Sequence, residues 1–232
     1  MKLAIMQPYL FPYIGYFQLM QAADRFVVYD DVNYIKGGWV NRNRIAVNSE
    51  PHLFTLPLRN AGSNVHIDRI EVGGSDYLKW REKFLRTLQQ AYAKAPFRDD
   101  VIALVADVLQ EQPGLLADLL RRSLQAVIER IGIAMEVVPT SSIYGNSDLS
   151  GTERVLDICV REQADVYVNA IGGKELYSKE EFAKKGIELR FLRSRPLPFH
   201  NTDRIQGLSI IDVMMWDPVT QIAGYLDHYD LE

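Results

Sequence analysis

Two short apolar runs, Met1–Met6 (MKLAIM) and Arg25–Tyr29 (RFVVY), flank a segment that repeats its apolar residues at helical spacing, and this pairing constrains the fold most. The segment opens near Gly15 and carries Phe17, Leu19, Met20, Ala22 and Ala23 on one side. Strand, helix and strand in that order predict a βαβ unit, which requires a parallel sheet. Ligands of such sheets sit beyond the carboxyl ends of the strands. The second run leads into Asp30-Asp31-Val32-Asn33-Tyr34-Ile35-Lys36-Gly37-Gly38-Trp39-Val40-Asn41-Arg42-Asn43-Arg44, where acids, amides and bases crowd together. A site is expected there.

Further along, Pro51–Pro57 and Val65–Val72 each read as a strand, and Asn60–Asn64 as the turn that would pair them in a hairpin. Tyr77, Trp80, Phe84, Leu88 and Ala91 follow at helical spacing, ending before Pro96. Residues 99–130 form two apolar stripes broken at Pro113-Gly114, the pattern of a helical hairpin. It is either a cap over the sheet, inserted over residues 75–130 of a single 1–232 domain, or a face for a partner chain such as a second copy. Strand and helix then alternate again: a strand at Ala134–Pro139, a helix after Ser150, a strand at Asp165–Asn169, a short helix after Ser178 and an edge strand at Ile187–Leu192. Ser150/Glu153 and Ser178/Glu181 have the spacing of capping boxes. Leu208–Trp216 reads as a buried helix in which Asp212 needs a partner. The fold class is therefore α/β: a Rossmann-like three-layer α/β/α arrangement with a mainly parallel sheet and a helical insertion.

At 232 residues and a formal charge of −4, the chain has no broad basic surface for nucleic acid. No apolar run approaches the roughly 20 residues that a membrane span needs, and the start lacks the pattern of a secretory signal. A cytoplasmic location is the expectation. Cys159, the single cysteine, lies among Val155, Leu156 and Ile158 and reads as an inert core thiol. No metal-ligand spacing connects the histidines; His200, in the Pro-containing stretch 193–200, is the one candidate acid or base.

In the crowded stretch, Asp30 and Asp31 would face opposite ways at a strand end, one orienting an amine, base or metal and the other pairing with Arg42 or Arg44. Lys36 and Arg42 would hold a phosphate or carboxylate, Asn41 with Arg42 would supply oxyanion donors, and Trp39 would stack on a base or sugar ring.

Gln7–Phe17 (QPYLFPYIGYF), Ala23-Asp24, Asp30-Asp31-Val32, Lys36–Asn43, Ser141-Ser142, Ala164–Gly173 and Leu208–Asp212 together resemble the WbqC-like protein family over nearly the whole chain. That resemblance implies a setting in bacterial surface polysaccharide, lipopolysaccharide and O-antigen biosynthesis, and transfer of glycine or another acyl group to an amino sugar. Within its 164–173 motif, Tyr167 is a substrate-binding candidate, with Asp30, Trp39 and Asp212, and Gly172 and Gly173 are cofactor-binding candidates. The first βαβ unit also looks like the start of a HIGH-motif nucleotidylyltransferase, with Tyr13 and Tyr16 in place of its histidines. That likeness implies nucleotide binding by Gln7, Tyr9, Tyr13, Gly15 and Tyr16, with Ser141 and Ser142 as a hydroxyl-rich second signature. The cofactor would be ATP or a nucleotide sugar, with Mg²⁺ left open. Two functions follow: an acyl- or aminoacyl-transferring enzyme, through the adenylate that the second likeness implies, with Asp31 or His200 deprotonating the amine; or a non-catalytic module that binds a nucleotide sugar or a partner.

Overall fold

A computed structural model describes residues 1–110, 113–199 and 204–232. Its elements are β1 (Lys2–Met6), α1 (Ile14–Gln21), β2 (Arg25–Val28), β3 (Arg42–Val47), β4 (Glu50–Thr55), β5 (Glu71–Val72), α2 (Gly74–Ala91), α3 (Arg98–Val108), β6 (Gly114–Leu115) and α4 (Leu116–Ile131). They continue as β7 (Glu136–Val138), α5 (Gly151–Arg161), β8 (Val166–Ala170), α6 (Lys179–Ala183), β9 (Glu188–Ser194), α7 (Ile210–Trp216), α8 (Val219–Leu226) and β10 (Tyr229–Leu231). Six of the strands form one sheet in the order β10-β9-β8-β1-β2-β7. All neighbours in it run parallel except β10, which is antiparallel to β9.

β1 can occupy the middle because Leu3, Ala4 and Ile5 are apolar on both faces, as a strand covered on two sides must be. Alternate residues go to opposite layers. Leu3 and Ile5, with Val27 of β2, pack on Val155, Ile158 and Cys159 of α5 and Phe182 of α6. Ala4, with Phe26 and Val28 of β2, faces the larger core shared by α1, α2, α3, α4, α7 and α8. The result is three layers, helices on both sides of a mainly parallel sheet. After β2 the chain leaves the sheet for β3 to α4, returns at β7 on the outer flank of β2, then crosses to β8 on the other side of β1. Strand order therefore reverses between β1 and β8, and the crevice of a Rossmann-like sheet opens there.

The structure corrects several expectations. Residues 65–72 are not a strand: a 3₁₀ turn occupies Ile67–Arg69, and only Glu71–Val72 is extended. Ile67 and Ile70 point into the core from that turn, so the alternating apolar pattern reports burial and not pleat. The partner of 50–55 is instead β3, which begins inside the crowded stretch at Arg42 and for which no strand was expected. Ile187–Leu192 is not an edge, because β10 pairs outside it. Neither Ser150 nor Ser178 caps its helix through its side chain; the Ser178 hydroxyl donates to Glu180 at 2.6 Å, and the left-handed Gly151 (φ 53°) turns the chain into α5. Burial pushes the Cys159 thiol up to about 12, which leaves it protonated and inert. Among the described residues, no helix is long and apolar enough to cross a membrane.

Candidate functional site: an aromatic and arginine-lined cleft

The segment between β1 and α1 is pinned from below and open above. Leu10 and Phe11 are fully buried, and Phe11 takes a left-handed conformation (φ 44°) that an aromatic residue adopts only when its surroundings impose it. Those surroundings are specific: the Phe11 carbonyl accepts from Asn43 Nδ2 and Ser209 Oγ, both at 2.7 Å, and the Phe11 amide donates to Ser123 Oγ at 3.1 Å. The Leu10 amide donates to the Val40 carbonyl and that of Ile210 to the Pro12 carbonyl. This knot fixes the backbone and turns Tyr9 and Tyr13 towards a cavity of about 280 Å³.

Trp39, Asn43 and Arg44 form the facing wall, with Pro12 and Gly207 completing it. Arg42 and Arg44 are two apart on β3 and so share a face. Their guanidinium carbons lie 5.6 and 5.4 Å from the centre of the Trp39 ring, within cation–π range. The Nε of each arginine is buried and has no partner among the described residues. Burial raises the Tyr9 and Tyr13 phenols above their ordinary range, so both are neutral hydrogen-bond donors and acceptors at pH 7. Trp39 and Tyr13 remain well exposed, at 45 and 38 %. The cleft thus offers aromatic faces, two phenols and concentrated positive charge.

Other predicted residues lie elsewhere. Gly15 is not open to a ligand: a side chain there would collide with the Tyr13 ring and Ser194 Oγ, which occupy that space. Its role is to seat Tyr13. Gly15→Ala is accordingly expected to leave the fold intact at a cost of about 1–3 kcal/mol while displacing the Tyr13 ring, read as a shifted Tyr13 aromatic resonance in heteronuclear NMR with α3 signals unmoved. An unshifted Tyr13 would show that the glycine does not place it. Tyr16 is buried against Tyr9 (5.5 Å between centroids) and donates to the Gln7 carbonyl at 2.9 Å, so it is packing and not a ligand contact. Asn41 is buried, accepting from the Tyr34 hydroxyl and donating to the Leu56 carbonyl, each at 2.8 Å, and holds the Lys36 loop rather than presenting oxyanion donors. Lys36 is exposed on that loop.

Asp30 and Asp31 do face different ways, but neither pairs with Arg42 or Arg44. The buried Asp31 carboxylate meets Arg154 Nη2 at 2.5 Å, and Arg154 also donates to the Asp31 carbonyl at 3.1 Å and to Asn146 at 3.0 Å. Ser141 Oγ donates to the same carboxylate. Asp30, fully buried, accepts from Thr140 at 2.7 Å and from Arg121 at 3.2 Å. Burial raises its carboxyl despite those donors. The tandem acids thus tie the end of β2 to α4, to the turn after β7 and to α5. An acid so enclosed is unavailable as a base. Arg154 and Arg121 were missed, although Arg154 sits beside Val155 on the buried face of an amphipathic helix, a place where an arginine needs a carboxylate.

Tyr167 is buried and stacked on Phe182 (5.2 Å, 7°), inside the α5/α6 core, and does not line the cleft. Ser142 stands on the exposed turn, its hydroxyl 2.9 Å from that of Thr140. Gly172 and Gly173 lie in a 3₁₀ turn after β8, where the Asn169 amide covers Gly173. Asp212 is buried, bonded to the Tyr92 hydroxyl at 2.8 Å and to Arg204 at 3.2 Å. His200 lies outside the described residues. Gly15, Lys36, Arg42 and Ser141 therefore do not line one pocket; Tyr9, Tyr13 and Trp39 do. Gly207 joins them from far along the chain, with no signal in the sequence. Among the described residues, no group of three or more His, Cys, Asp or Glu is placed to hold a metal.

Fold and cleft define a Rossmann-like α/β protein with an aromatic, arginine-rich mouth beside the central strand. The chain belongs to the WbqC-like protein family, whose pattern matches residues 7–223. It is also 30% identical, over 190 residues covering 81% of this chain and 80% of the other, to a protein of Mycobacterium tuberculosis (strain ATCC 25618 / H37Rv) named "Uncharacterized protein Rv1507c". No solved structure matches it significantly.

Proposed function

We propose that the cleft binds a phosphorylated or nucleotide-linked amino sugar, in the service of bacterial surface polysaccharide biosynthesis. The observation that carries this reading is Arg44 in the wall facing Tyr9 and Tyr13, with Arg42 beside it over the Trp39 ring. A sugar ring or base stacks on an aromatic face, while guanidinium groups match phosphate oxygens in a bidentate fork. Isothermal titration of the full chain with UDP-glucosamine tests it: saturable binding is the expected result, and none at millimolar concentration refutes it.

Acyl or aminoacyl transfer to the sugar amine is the reaction that this cleft fits. Nearby guanidinium charge disfavours the ammonium form and so supplies the free amine without a carboxylate base. The amine nitrogen attacks the carbonyl of an acyl adenylate, the C–N bond forms, AMP leaves with the C–O electron pair and the nitrogen proton passes to solvent. Arg44 would stabilise the developing oxyanion. The described lining contains no carboxylate, imidazole or thiol, which is the feature that favours a non-catalytic sugar-binding module instead. Exchange of labelled pyrophosphate into ATP, dependent on glycine or another small amino acid, separates the two; no exchange with any amino acid eliminates the adenylate route.

A further inference from the structure

The segment that gives Gly207 to the cleft also gives Arg204 and Ile205 to a second cavity, of about 410 Å³, under the turn of the β3–β4 hairpin. Asn48 and Ser49 of that turn line it, together with Tyr92 of α2's end and Asp212 and Trp216 of α7. The ionic cluster at its wall does not balance among the described residues. Arg204 bonds both Asp212 (3.2 Å) and Asp217 (2.6 Å), one guanidinium against two carboxylates, and all three side chains are at most 12% exposed. Among the described residues, no other base touches either acid. The Tyr92 hydroxyl donates to Asp212 at 2.8 Å while accepting from the Ala46 amide at 3.1 Å. Among the described residues each Asp212 oxygen has one side-chain donor, which leaves each a lone pair for a further one. Burial, with Asp217 adding to it, raises the Asp212 carboxyl above its ordinary range; an uncompensated charge in a poorly solvated place behaves this way.

We propose that this cavity is a second binding site, taking a small organic ammonium compound with its charged end on Asp212 and its carbon skeleton against Trp216 and Tyr92. Three features select that class. An excess buried negative charge is relieved by a cation. A bare metal ion is a poor fit, because no set of three ligating side chains exists among the described residues and the space far exceeds one ion. The walls of Ala46, Ala91, Ile205 and Trp216 are apolar or aromatic, and Trp216 is 38% exposed, so its face is open to a cation. The proposal stands apart from the sugar cleft, which neither Asp212 nor Trp216 lines.

Ethanolamine is the probe, with glycerol as its uncharged counterpart, each titrated calorimetrically into the full chain. Saturable binding of ethanolamine and none of glycerol is expected. Asp212→Asn should weaken ethanolamine at least about tenfold and Trp216→Leu severalfold. If Asp212→Asn does not fold, Trp216→Leu and Ser49→Ala, both at the cavity surface, carry the test. The proposal is overturned if the wild type shows no saturable ethanolamine binding, if these variants bind it undiminished, or if potassium chloride competes as well as a second amine does. UDP-glucosamine titrated into the same variants reads the sugar cleft separately, so either site can fail alone.

Discussion

Arg154→Met is expected to lower the stability of this protein by about 3–5 kcal/mol, the usual consequence of leaving a buried carboxylate without its counter-ion. For a chain of this size that corresponds to a fall in Tm of roughly 10 °C. The reasoning is geometric. Asp31 and Arg154 are 7% and 3% exposed, and the guanidinium satisfies the Asp31 carboxylate, the Asp31 carbonyl and Asn146 together while lying 5.1 Å from the Tyr29 ring centre. Water cannot replace four contacts at once. Adding Asp31→Asn to the same variant removes the orphaned charge, and the double variant should recover at least about half of the loss, because two residues in one ion pair couple strongly. Urea unfolding of the two single variants and the double variant measures this. A loss below about 1 kcal/mol in Arg154→Met would mean that the tandem acids do not tie β2 to α5.

Arg44→Ala is expected to weaken UDP-glucosamine by about 10- to 100-fold without changing the free energy of unfolding by more than about 1 kcal/mol. The figure is that of one charge-assisted hydrogen bond, about 1.5–3 kcal/mol. The small stability cost follows from position: the Arg44 side chain forms no salt bridge among the described residues and makes a cation–π contact with the half-exposed Trp39. Trp39→Ala should reduce affinity similarly by removing the stacking face. Calorimetric titration beside urea unfolding separates binding from folding. Unchanged affinity in both variants would move the ligand out of this cleft.

What the sequence disclosed and what it hid divide along physical lines. β1, α1 and β2 were legible because a strand covered on both faces is a continuous apolar run, and because α1, buried over nearly its whole surface, leaves a dense apolar segment between two such runs. β3 was hidden by its own composition: Arg42, Asn43 and Arg44 resemble a polar loop, yet Ile45 is buried and both guanidinium groups lie over Trp39. The alternation at 65–72 misled in the opposite sense. Trp39 and Tyr13 were identifiable as aromatic residues in a polar, Pro- and Gly-rich setting, whereas the partners of Asp30 and Asp31 were not. Arg121 and Arg154 come from α4 and α5, and only the folded sheet brings them to the end of β2. Charge pairs across such distances leave no local pattern to read.

The central position of β1 has a consequence for how the chain is made. Lys2 pairs with Val166 of β8, so β1, which is made before β8, waits for that flank until more than 160 further residues have followed it. Through that interval Leu3, Ile5 and Val27 lack the cover that α5 and α6 later give them. Nascent chains halted before residue 150 should therefore engage holding chaperones most along the side of the half-built sheet that α5 and α6 later cover, because the other side already has α1 to α4 although it still lacks α7 and α8.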